Sequence, residues 1–323
     1  MKEVLIDFPT QFEDAIKATQ NVKVPEVKNP ANIVVCGMGG SAISGDLLAK
    51  YLADKVQIPV IVNRDYTAPT FINENSIVFV SSYSGNTEET LSAYNEVCKK
   101  TKNIICITSG GEVERLNPPY IVKVPAGYQP RCASGWMFTP MLVVLEKMGI
   151  IKDITSELKE TITTLKNLAQ EFSKENSLPF SIAQKLLNRF PIIYSDSQFE
   201  PVAKRWATQL NENAKVLAHF NVFPELNHNE IVGFENPKID SMLLILTDKS
   251  YNKRVFKRIE ITSRILAPYV GIQEIASKGD SLLARMFYLV YLGDWASYWL
   301  AILRGIDPTP VERIQGLKKE LEK

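Results

Sequence analysis

Residues 76–91, SIVFVSSYSGNTEETL, decide the fold of this chain. The first part, residues 77–80, is a short run of β-branched and aromatic side chains, which is typical of a strand buried in a parallel sheet. The run passes directly into serines, a tyrosine and a glycine, and then into a helical pattern that opens with Glu88 and Glu89. A buried strand, a polar turn and a helix in immediate succession predict one unit of a parallel α/β sheet.

The turn after this strand has the composition of an anion-binding site. The first backbone N–H groups of a helix have no partner within the helix and lie at the positive end of its dipole. Ser82, Ser84 and Thr87 add hydroxyl groups to the same turn. A single hydroxyl would indicate only an N-cap of the helix, which serine and threonine commonly provide. Three hydroxyls favour a phosphate cradle over capping alone.

The segment Ser-x-Ser-Gly-Asn-Thr-Glu-Glu-Thr resembles the phosphate loop of sugar isomerase (SIS) domains, which bind phosphosugars. A second predicted strand leads into Gly-Met-Gly-Gly-Ser at residues 37–41, and the resemblance makes Gly40 and Ser41 further contacts to the phosphosugar. A glycine turn between strand and helix also occurs in dinucleotide-binding sites, but the spacing here is not G-x-G-x-x-G. The resemblance therefore implies no nicotinamide or other cofactor. The alternative is that these glycines only permit a tight turn.

Strand-like runs recur along the first half of the chain, with helical patterns between most of them. This alternation predicts a doubly wound parallel sheet, in which ligands bind beyond the carboxyl ends of the strands. The glycine turn at residues 37–41 follows such an end. So does the turn that carries Ser82, Ser84 and Thr87, called here the hydroxyl turn. We therefore expect the two turns to meet at one ligand. The predicted strands are residues 32–36, 56–62, 77–80, 104–108 and 120–124.

The second half of the chain repeats this order of strands, at residues 190–194, 242–246 and 269–275. We infer an internal duplication whose second copy has lost most of its phosphate loop, which predicts one phosphosugar per chain. The predicted fold class is α/β, with two doubly wound parallel-sheet SIS domains related by internal duplication. The expected parts are a first domain, a helical connector and a second domain, at residues 1–150, 151–178 and 179–323.

The composition is that of a globular enzyme without a charged partner surface. Apolar residues make up 45% of the 323 residues and charged residues 23%, and the net charge is +1. Nucleic-acid or membrane-surface partners would require a basic excess, so neither is expected. The N-terminus has no long apolar stretch and no later run approaches a membrane span, which predicts a cytoplasmic protein.

The inventory of metal ligands is small. The four cysteines form no Cys-x-x-Cys pair, and the chain has two histidines, His219 and His228. Without clustered thiols or imidazoles a metal site is poorly supported, so we expect catalysis without metal. Cys36 and Cys106 lie in apolar strand-like runs, where free cysteine packs as a small hydrophobic side chain.

Four motifs narrow the resemblance to one family. Together with the glycine turn, these motifs make the chain resemble the bifunctional phosphoglucose/phosphomannose isomerases. The resemblance covers about residue 31 to residue 318. The family implies an aldose–ketose isomerase that interconverts glucose 6-phosphate, mannose 6-phosphate or both with fructose 6-phosphate, by proton transfer through a cis-enediol. The motifs are PRCASG at 130–135, QLNENAK at 209–215, FPELNHNEIVG at 223–233 and GIDPTPV at 305–311.

The resemblance assigns a chemical role to four residues. Glu212 becomes the base that moves the proton, and His228, with an ordinary pKa near neutrality, opens the sugar ring. Arg131 stabilises the enediolate, and Lys318 assists proton handling, although Lys319 is adjacent. The residues that bind the substrate are then Gly40, Ser41, Ser82, Ser84, Thr87 and Arg131.

Each assignment has a plainer alternative. Glu212 could be a solvated helix residue, as most glutamates are, and Arg131 a surface charge. Lys318 lies in a lysine-rich terminal helix of the kind that is ordinarily solvated. His219, among apolar neighbours, is expected to be structural. Val311 stands where some members of the family carry a threonine, which leaves the balance between the glucose and mannose epimers open.

The family also implies an obligate homodimer in which His228 reaches the site of the neighbouring chain. A non-catalytic SIS regulator is the first alternative, but the segment before the first strand is too short for a DNA-binding helix-turn-helix. Another SIS phosphosugar enzyme, such as a ketose-phosphate aldolase or an aminotransferase-type protein, is the second. The aminotransferase type would require a glutaminase domain or another source of ammonia, which the sequence does not show. A regulator has no use for a base such as Glu212.

Overall fold

The protein, seen here as a computed structural model that describes residues 1–236 and 238–321, divides into two compact units. The N unit is Ile6–Lys166 with Gly279–Ala284, and the C unit is Met1–Leu5, Asn167–Lys278 and Arg285–Lys323. The division at Lys166 falls inside a helix, within the segment that we expected to connect two domains.

Nine strands and twelve α-helices make up the described part of the chain. The strands are β1 Asn32–Cys36, β2 Val60–Asn63, β3 Ser76–Ser81, β4 Ile104–Thr108, β5 Tyr120–Lys123, β6 Phe190–Asp196, β7 His219–Phe223, β8 Ser241–Thr247 and β9 Gly271–Ala276. The helices are α1 Lys2–Ile6, α2 Phe8–Gln20, α3 Gly39–Leu52, α4 Glu88–Val97, α5 Gly111–Arg115, α6 Ser134–Lys147, α7 Thr155–Phe172, α8 Leu178–Leu186, α9 Glu200–Gln209, α10 Lys253–Leu266, α11 Leu282–Leu303 and α12 Glu312–Leu321.

The N unit contains a five-stranded sheet in the order β2-β1-β3-β4-β5, and every pairing is parallel. The strands β1, β3 and β4 are buried along their whole length, which explains their continuous apolar sequences. The doubly wound parallel sheet predicted from the sequence is confirmed. The carboxyl ends of β1 and β3 are adjacent, since Cys36 pairs with Val80.

The C unit contains a four-stranded parallel sheet in the order β7-β6-β8-β9. This order repeats β2-β1-β3-β4, with β6, β8 and β9 in the places that the sequence predicted for the second copy. The pairing of Phe190 with Ser241 corresponds to that of Asn32 with Ser76. The sheet topology therefore supports the internal duplication.

Strand β7 was missing from the sequence prediction. It lies at the edge of the C sheet, and its residues are exposed or half-buried except for Phe223. An edge strand needs neither continuous burial nor a regular apolar alternation, and His219 and Asn221 interrupt the apolar pattern here. The segment therefore gave no strand signal of its own.

Helix α11 is the central helix of the C unit. It is long and apolar enough to cross a membrane, so the expectation that no run approaches such a span was wrong. However, 89% of its most apolar window is buried inside the protein, as in the core helix of a globular domain. Gly293 permits the packing of α9, because a Cβ at this position would lie 2.4 Å from the indole nitrogen of Trp206.

Candidate active site

The hydroxyl turn after β3 is connected by its own hydrogen bonds. Ser82 is 1% exposed, and its Oγ donates to Thr87 Oγ1 at 3.0 Å while it accepts from the Gly85 N–H at 3.1 Å. Thr87 is the N-cap residue of α4, yet its side chain makes no capping hydrogen bond. Capping of α4 therefore does not account for the Thr87 hydroxyl. The hydroxyls of the turn gather at the positive N-terminal end of α4, as an anion site requires.

Gly85 allows this turn to pack against the segment after β4. Its φ is 69°, and a Cβ would lie 1.8 Å from the carbonyl oxygen of Gly110. Ser109 adds a second connection, because its hydroxyl donates to the Tyr83 carbonyl at 2.6 Å. The Tyr83 hydroxyl in turn donates to the carbonyl oxygen of Pro125 at 2.8 Å. The hydroxyl turn is thus fixed to the segments that follow β4 and β5.

The glycine turn after β1 lies between the hydroxyl turn and Arg131. Ser41 Oγ accepts from the Tyr83 N–H at 3.3 Å. A Cβ on Gly40 would lie 2.8 Å from the Pro130 carbonyl and 3.1 Å from Arg131 Cα. Gly40 therefore does more than shape a tight turn, because its missing side chain lets two loops approach each other.

Arg131 is 3% exposed, so it is not a solvated surface charge. It lies in a short 3-10 helix, Pro130–Cys132, directly before α6. Gln11 of α2 anchors this turn: its amide nitrogen donates to the Cys132 carbonyl at 2.8 Å, and its amide oxygen accepts from the Gly135 N–H at 3.2 Å. The N unit brings together the predicted residues Gly40, Ser41, Ser82, Ser84, Thr87 and Arg131 at the carboxyl ends of its strands.

Glu212 lies in a π-helical turn, Leu210–Ala214, that continues α9. Such turns are rare and occur often at functional sites. The flanking side chains are buried and bonded to α11: Gln209 donates to Asp294 at 2.9 Å, and Asn213 donates to Ser297 at 2.9 Å. Glu212 itself is half-buried.

Glu212 lines a cavity of about 600 Å³ within the C unit. The 305–311 motif forms another wall of this cavity through Asp307, Pro310 and Val311. Two motifs far apart in the sequence therefore meet at the predicted base. His228 is not among the residues that line this cavity.

His228 ends a short 3-10 helix, Glu225–His228, and is exposed. The segment that follows it is anchored by Glu230, a residue that the sequence analysis did not single out. The Glu230 carboxylate accepts hydrogen bonds from the Tyr194 hydroxyl and the Asn221 amide. It also lies 3.0 Å from Nε2 of His219. The only sequence signal for Glu230 was its position two residues after His228 in the same motif.

These contacts change the acidity of Glu230. Burial raises the pKa of its carboxyl, but the hydrogen bonds from Asn221, Tyr194 and His219 outweigh burial and leave the pKa below its ordinary value. His219 is thus a hydrogen-bond partner of Glu230, and its side chain is 46% exposed.

Lys318 lies on α12, a helix without a buried residue, and Lys318 and Lys319 are both exposed. The Glu212 cavity is lined by residues of α12 only as far as Ile314. Among the described residues, Lys318 therefore does not line the cavity that contains Glu212.

The second copy of the phosphate loop is occupied by a carboxylate of the protein itself. Asp248 is 2% exposed and accepts from the hydroxyls of Ser250 and Ser277, and from Arg285 Nε at 2.8 Å. The side chain of Asn252 caps α10, unlike that of Thr87 at the corresponding position of the first copy. The hydroxyls of Ser250 and Ser277 and the N–H of Arg254 are thus already used, which gives a physical reason for the predicted loss of phosphate binding in this copy.

Between residues 1 and 236 and between 238 and 321, no group of three or more His, Cys, Asp or Glu side chains could hold a metal ion.

Known proteins resemble this chain along almost its whole length. A family model for the bacterial phospho-glucose isomerase C-terminal SIS domain matches residues 175–321, and a SIS domain model matches residues 26–126. The bifunctional phosphoglucose/phosphomannose isomerase of Caldicellulosiruptor bescii is 42% identical over 99% of this chain and 98% of that protein. The enzyme of the same name from Aquifex aeolicus is 40% identical over 90% of both chains. The chain belongs to this family of isomerases.

More distant relatives agree on the fold. A D-glucosamine-6-phosphate 4-epimerase from Sulfolobus acidocaldarius is 31% identical over 81% of both chains. Among solved structures, a hypothetical protein from Thermus thermophilus superposes with a TM-score of 0.77 and 16% identity, covering 98% of this chain and 88% of that one. The C-terminal domain of glucosamine-fructose-6-phosphate aminotransferase from Francisella tularensis gives 0.69 at 15% identity, with 95% and 97% covered. This enzyme is therefore an isomerase built from two SIS domains.

Proposed function

We propose that this isomerase interconverts glucose 6-phosphate, mannose 6-phosphate or both with fructose 6-phosphate. The observation that carries the proposal is the convergence of Gly40, the hydroxyl turn and the buried Arg131 in the N unit. This set combines hydrogen-bond donors for a phosphate with a fixed positive charge. The names of the relatives at 42% and 40% identity supply the substrates.

The phosphate of the sugar would bind at the N-terminus of α4. Ser84 and Thr87 are half-buried, so their hydroxyls can reach a ligand while the turn stays anchored through Ser82 and Gly85. Backbone N–H groups at the start of the helix add donors and a favourable dipole. Because this end of the substrate does not react, its contacts serve binding in the ground state and the transition state alike.

The chemistry then requires ring opening followed by proton transfer between C2 and C1. His228 would open the sugar ring by exchanging a proton with the ring oxygen. Glu212 would remove the proton from C2 of the open-chain aldose phosphate and return it to C1 through a cis-enediol intermediate, while the proton of the C2 hydroxyl moves to the C1 oxygen. Arg131 would stabilise the oxygen on which negative charge develops. Lys318 would assist proton handling.

Assembly and location form part of the same proposal. His228 is exposed and does not line the Glu212 cavity, which supports a homodimer in which His228 serves the site of the partner. The substrates named for the relatives support a cytoplasmic role in carbohydrate metabolism, in glycolysis or gluconeogenesis.

The direct test is to incubate the purified protein with glucose 6-phosphate and, separately, mannose 6-phosphate, and to assay fructose 6-phosphate. We expect product from at least one epimer. Glu212→Gln should lower turnover by at least about a hundredfold, the usual contribution of a positioned base. Ser84→Ala and Thr87→Ala should instead raise KM at unchanged kcat. Binding without turnover would indicate the SIS regulator, and turnover near normal in Glu212→Gln would place the base elsewhere.

Metal dependence is checked in the same assay. We expect full activity in EDTA, because the sequence offers no cluster of thiols or imidazoles. Loss of activity in EDTA that zinc restores would contradict this expectation.

A further inference from the structure

Lys215 ends the π-helical turn of Glu212 in an unusual backbone conformation. Its φ is 55° and its ψ is 42°, the left-handed region that residues other than glycine seldom adopt. Its N–H donates to the Leu210 carbonyl, which closes the turn. Conformations of this kind cost free energy and persist where the surroundings impose them, often at active sites.

The side chain of Lys215 connects two walls of one cavity. Its Nζ donates to the carbonyl oxygen of Glu212 at 2.6 Å and to that of Pro310 at 2.8 Å. Lys215, Glu212, Pro310 and Val311 all line the same cavity of about 600 Å³. The ammonium group therefore bonds the turn that carries the proposed base to the segment that carries Val311.

A lysine that bonds carbonyls at the end of a helix often serves only as a C-terminal cap. Lys147 is such a case: its Nζ donates to the carbonyl oxygens of Thr19, Gln20 and Val22, at and just beyond the end of α2. The bonds of Lys147 connect to no predicted site residue. Lys215 differs because both of its acceptors belong to walls of the Glu212 cavity.

We propose that Lys215 is a positioning residue for this isomerase. It fixes the Glu212 turn relative to residues 306–311, and so sets the distance between the base and the wall formed by Val311. This inference rests on the proposed role of Glu212. Because Val311 lines the same cavity as Glu212, loosening this wall changes how the enzyme treats the two C2 epimers.

The test compares Lys215→Met, Lys215→Arg and Lys147→Met. Lys215→Met should lower kcat by about tenfold or more, because small misplacements of a catalytic group are costly. KM should stay within about twofold, since the phosphate is held by the N unit. Lys215→Arg, which still donates to carbonyls, should restore most of kcat. Lys147→Met should leave kcat and KM unchanged, whatever it does to Tm.

The ratio of turnover with glucose 6-phosphate to turnover with mannose 6-phosphate gives a readout that a helix cap would not move. It should change in Lys215→Met and stay constant in Lys147→Met. The inference would be overturned if Lys215→Met and Lys147→Met had the same effect on kcat and on this ratio. It would also be overturned if Lys215→Met raised KM and changed nothing else. Failure of the proposed function is distinct, because it would show as normal turnover in Glu212→Gln.

Discussion

Gly85 shows how one missing side chain shapes the hydroxyl turn. A Cβ at this position would overlap the carbonyl oxygen of Gly110 at 1.8 Å, and the φ of 69° is itself unfavourable for other residues. Both effects act on the turn that holds Ser84 and Thr87. The fit between the turns after β3 and β4 is therefore a condition of the proposed phosphate binding.

We expect Gly85→Ala to lower the free energy of unfolding by more than about 3 kcal/mol and to raise KM for the phosphosugar, because clash adds to backbone strain. Gly127→Ala is the matched control. Its φ is 100°, but no atom lies within 4 Å of the added Cβ. Urea unfolding and KM measure both variants, and equal effects in the two would show that strain alone, without the clash, accounts for the loss.

Glu230 predicts a pH dependence of stability. Its pKa is lowered from the ordinary value of 4.5 because hydrogen bonds from Asn221, Tyr194 and His219 outweigh burial. A carboxyl with a lowered folded-state pKa stabilises the fold above its unfolded pKa, and this contribution is lost as the pH falls through the folded value.

We therefore expect Glu230→Gln to have a lower Tm than the parent protein at pH 7, and the difference to shrink as the pH falls below about 4.5. Thermal unfolding between pH 3 and pH 7 measures this. Glu225→Gln, in the same segment, is the control and should show a smaller difference. A gap in Tm that stays constant down to pH 3 would contradict the assignment.

At the scale of elements, the packing of α9 on α11 positions the predicted base. Arg205 and Asp294 form a buried ion pair at 2.8 Å, with both side chains 2% exposed. Asp294 also accepts from Gln209, and Trp206 donates to the Leu289 carbonyl at 2.8 Å. The π-helical turn continues directly from this contact, so the orientation of Glu212 depends on it.

Asp294→Ala should destabilise the protein by about 3–5 kcal/mol, because it leaves the Arg205 charge buried without its carboxylate. The double variant Arg205→Met/Asp294→Leu should be much less destabilised, since no charge remains buried. Tm and urea midpoints measure both. A double variant as unstable as the single one would show that packing volume, and not the buried charge, dominates.

The sequence predicted those elements whose signal is local. Buried parallel strands such as β1 and β4 are continuous apolar runs, and their bounds agree with the prediction at residues 32–36 and 104–108. The edge strand β7 and the π-helical turn of Glu212 were not predicted, because contacts from distant segments impose them. Asn213, for example, depends on Ser297, which lies far along the chain.

The residues of the candidate site likewise fall into those that the sequence predicted and those that it did not. The glycine turn with Gly40 and the hydroxyl turn with Ser82 were predicted as neighbours because the carboxyl ends of parallel strands meet at one edge. Glu230 and Lys215 were not predicted, since their roles arise from hydrogen bonds to Tyr194 and to the Pro310 carbonyl that no local pattern encodes.

At the scale of the whole molecule, the proposed homodimer makes a prediction about complementation. Glu212→Gln and His228→Ala should each be nearly inactive alone. If each site draws these residues from different chains, one of the two sites in a mixed dimer carries neither lesion. We expect activity to return when the two variants are refolded together. A mixture as inactive as its parents, with mixed dimers shown to form, would place both residues in one chain.

The C unit is assembled from both ends of the polypeptide, since it includes Met1–Leu5 as well as α11, and the Tyr291 hydroxyl donates to the Leu5 carbonyl at 2.7 Å. During synthesis, residues 1–5 emerge long before Tyr291, so they must wait for this later part of the chain before their unit can close. Most of the N unit, Ile6–Lys166, is already outside by then. Domains fold as they emerge, so translation should yield a folded N unit first and should complete the C unit only after the residues beyond Arg285 have emerged.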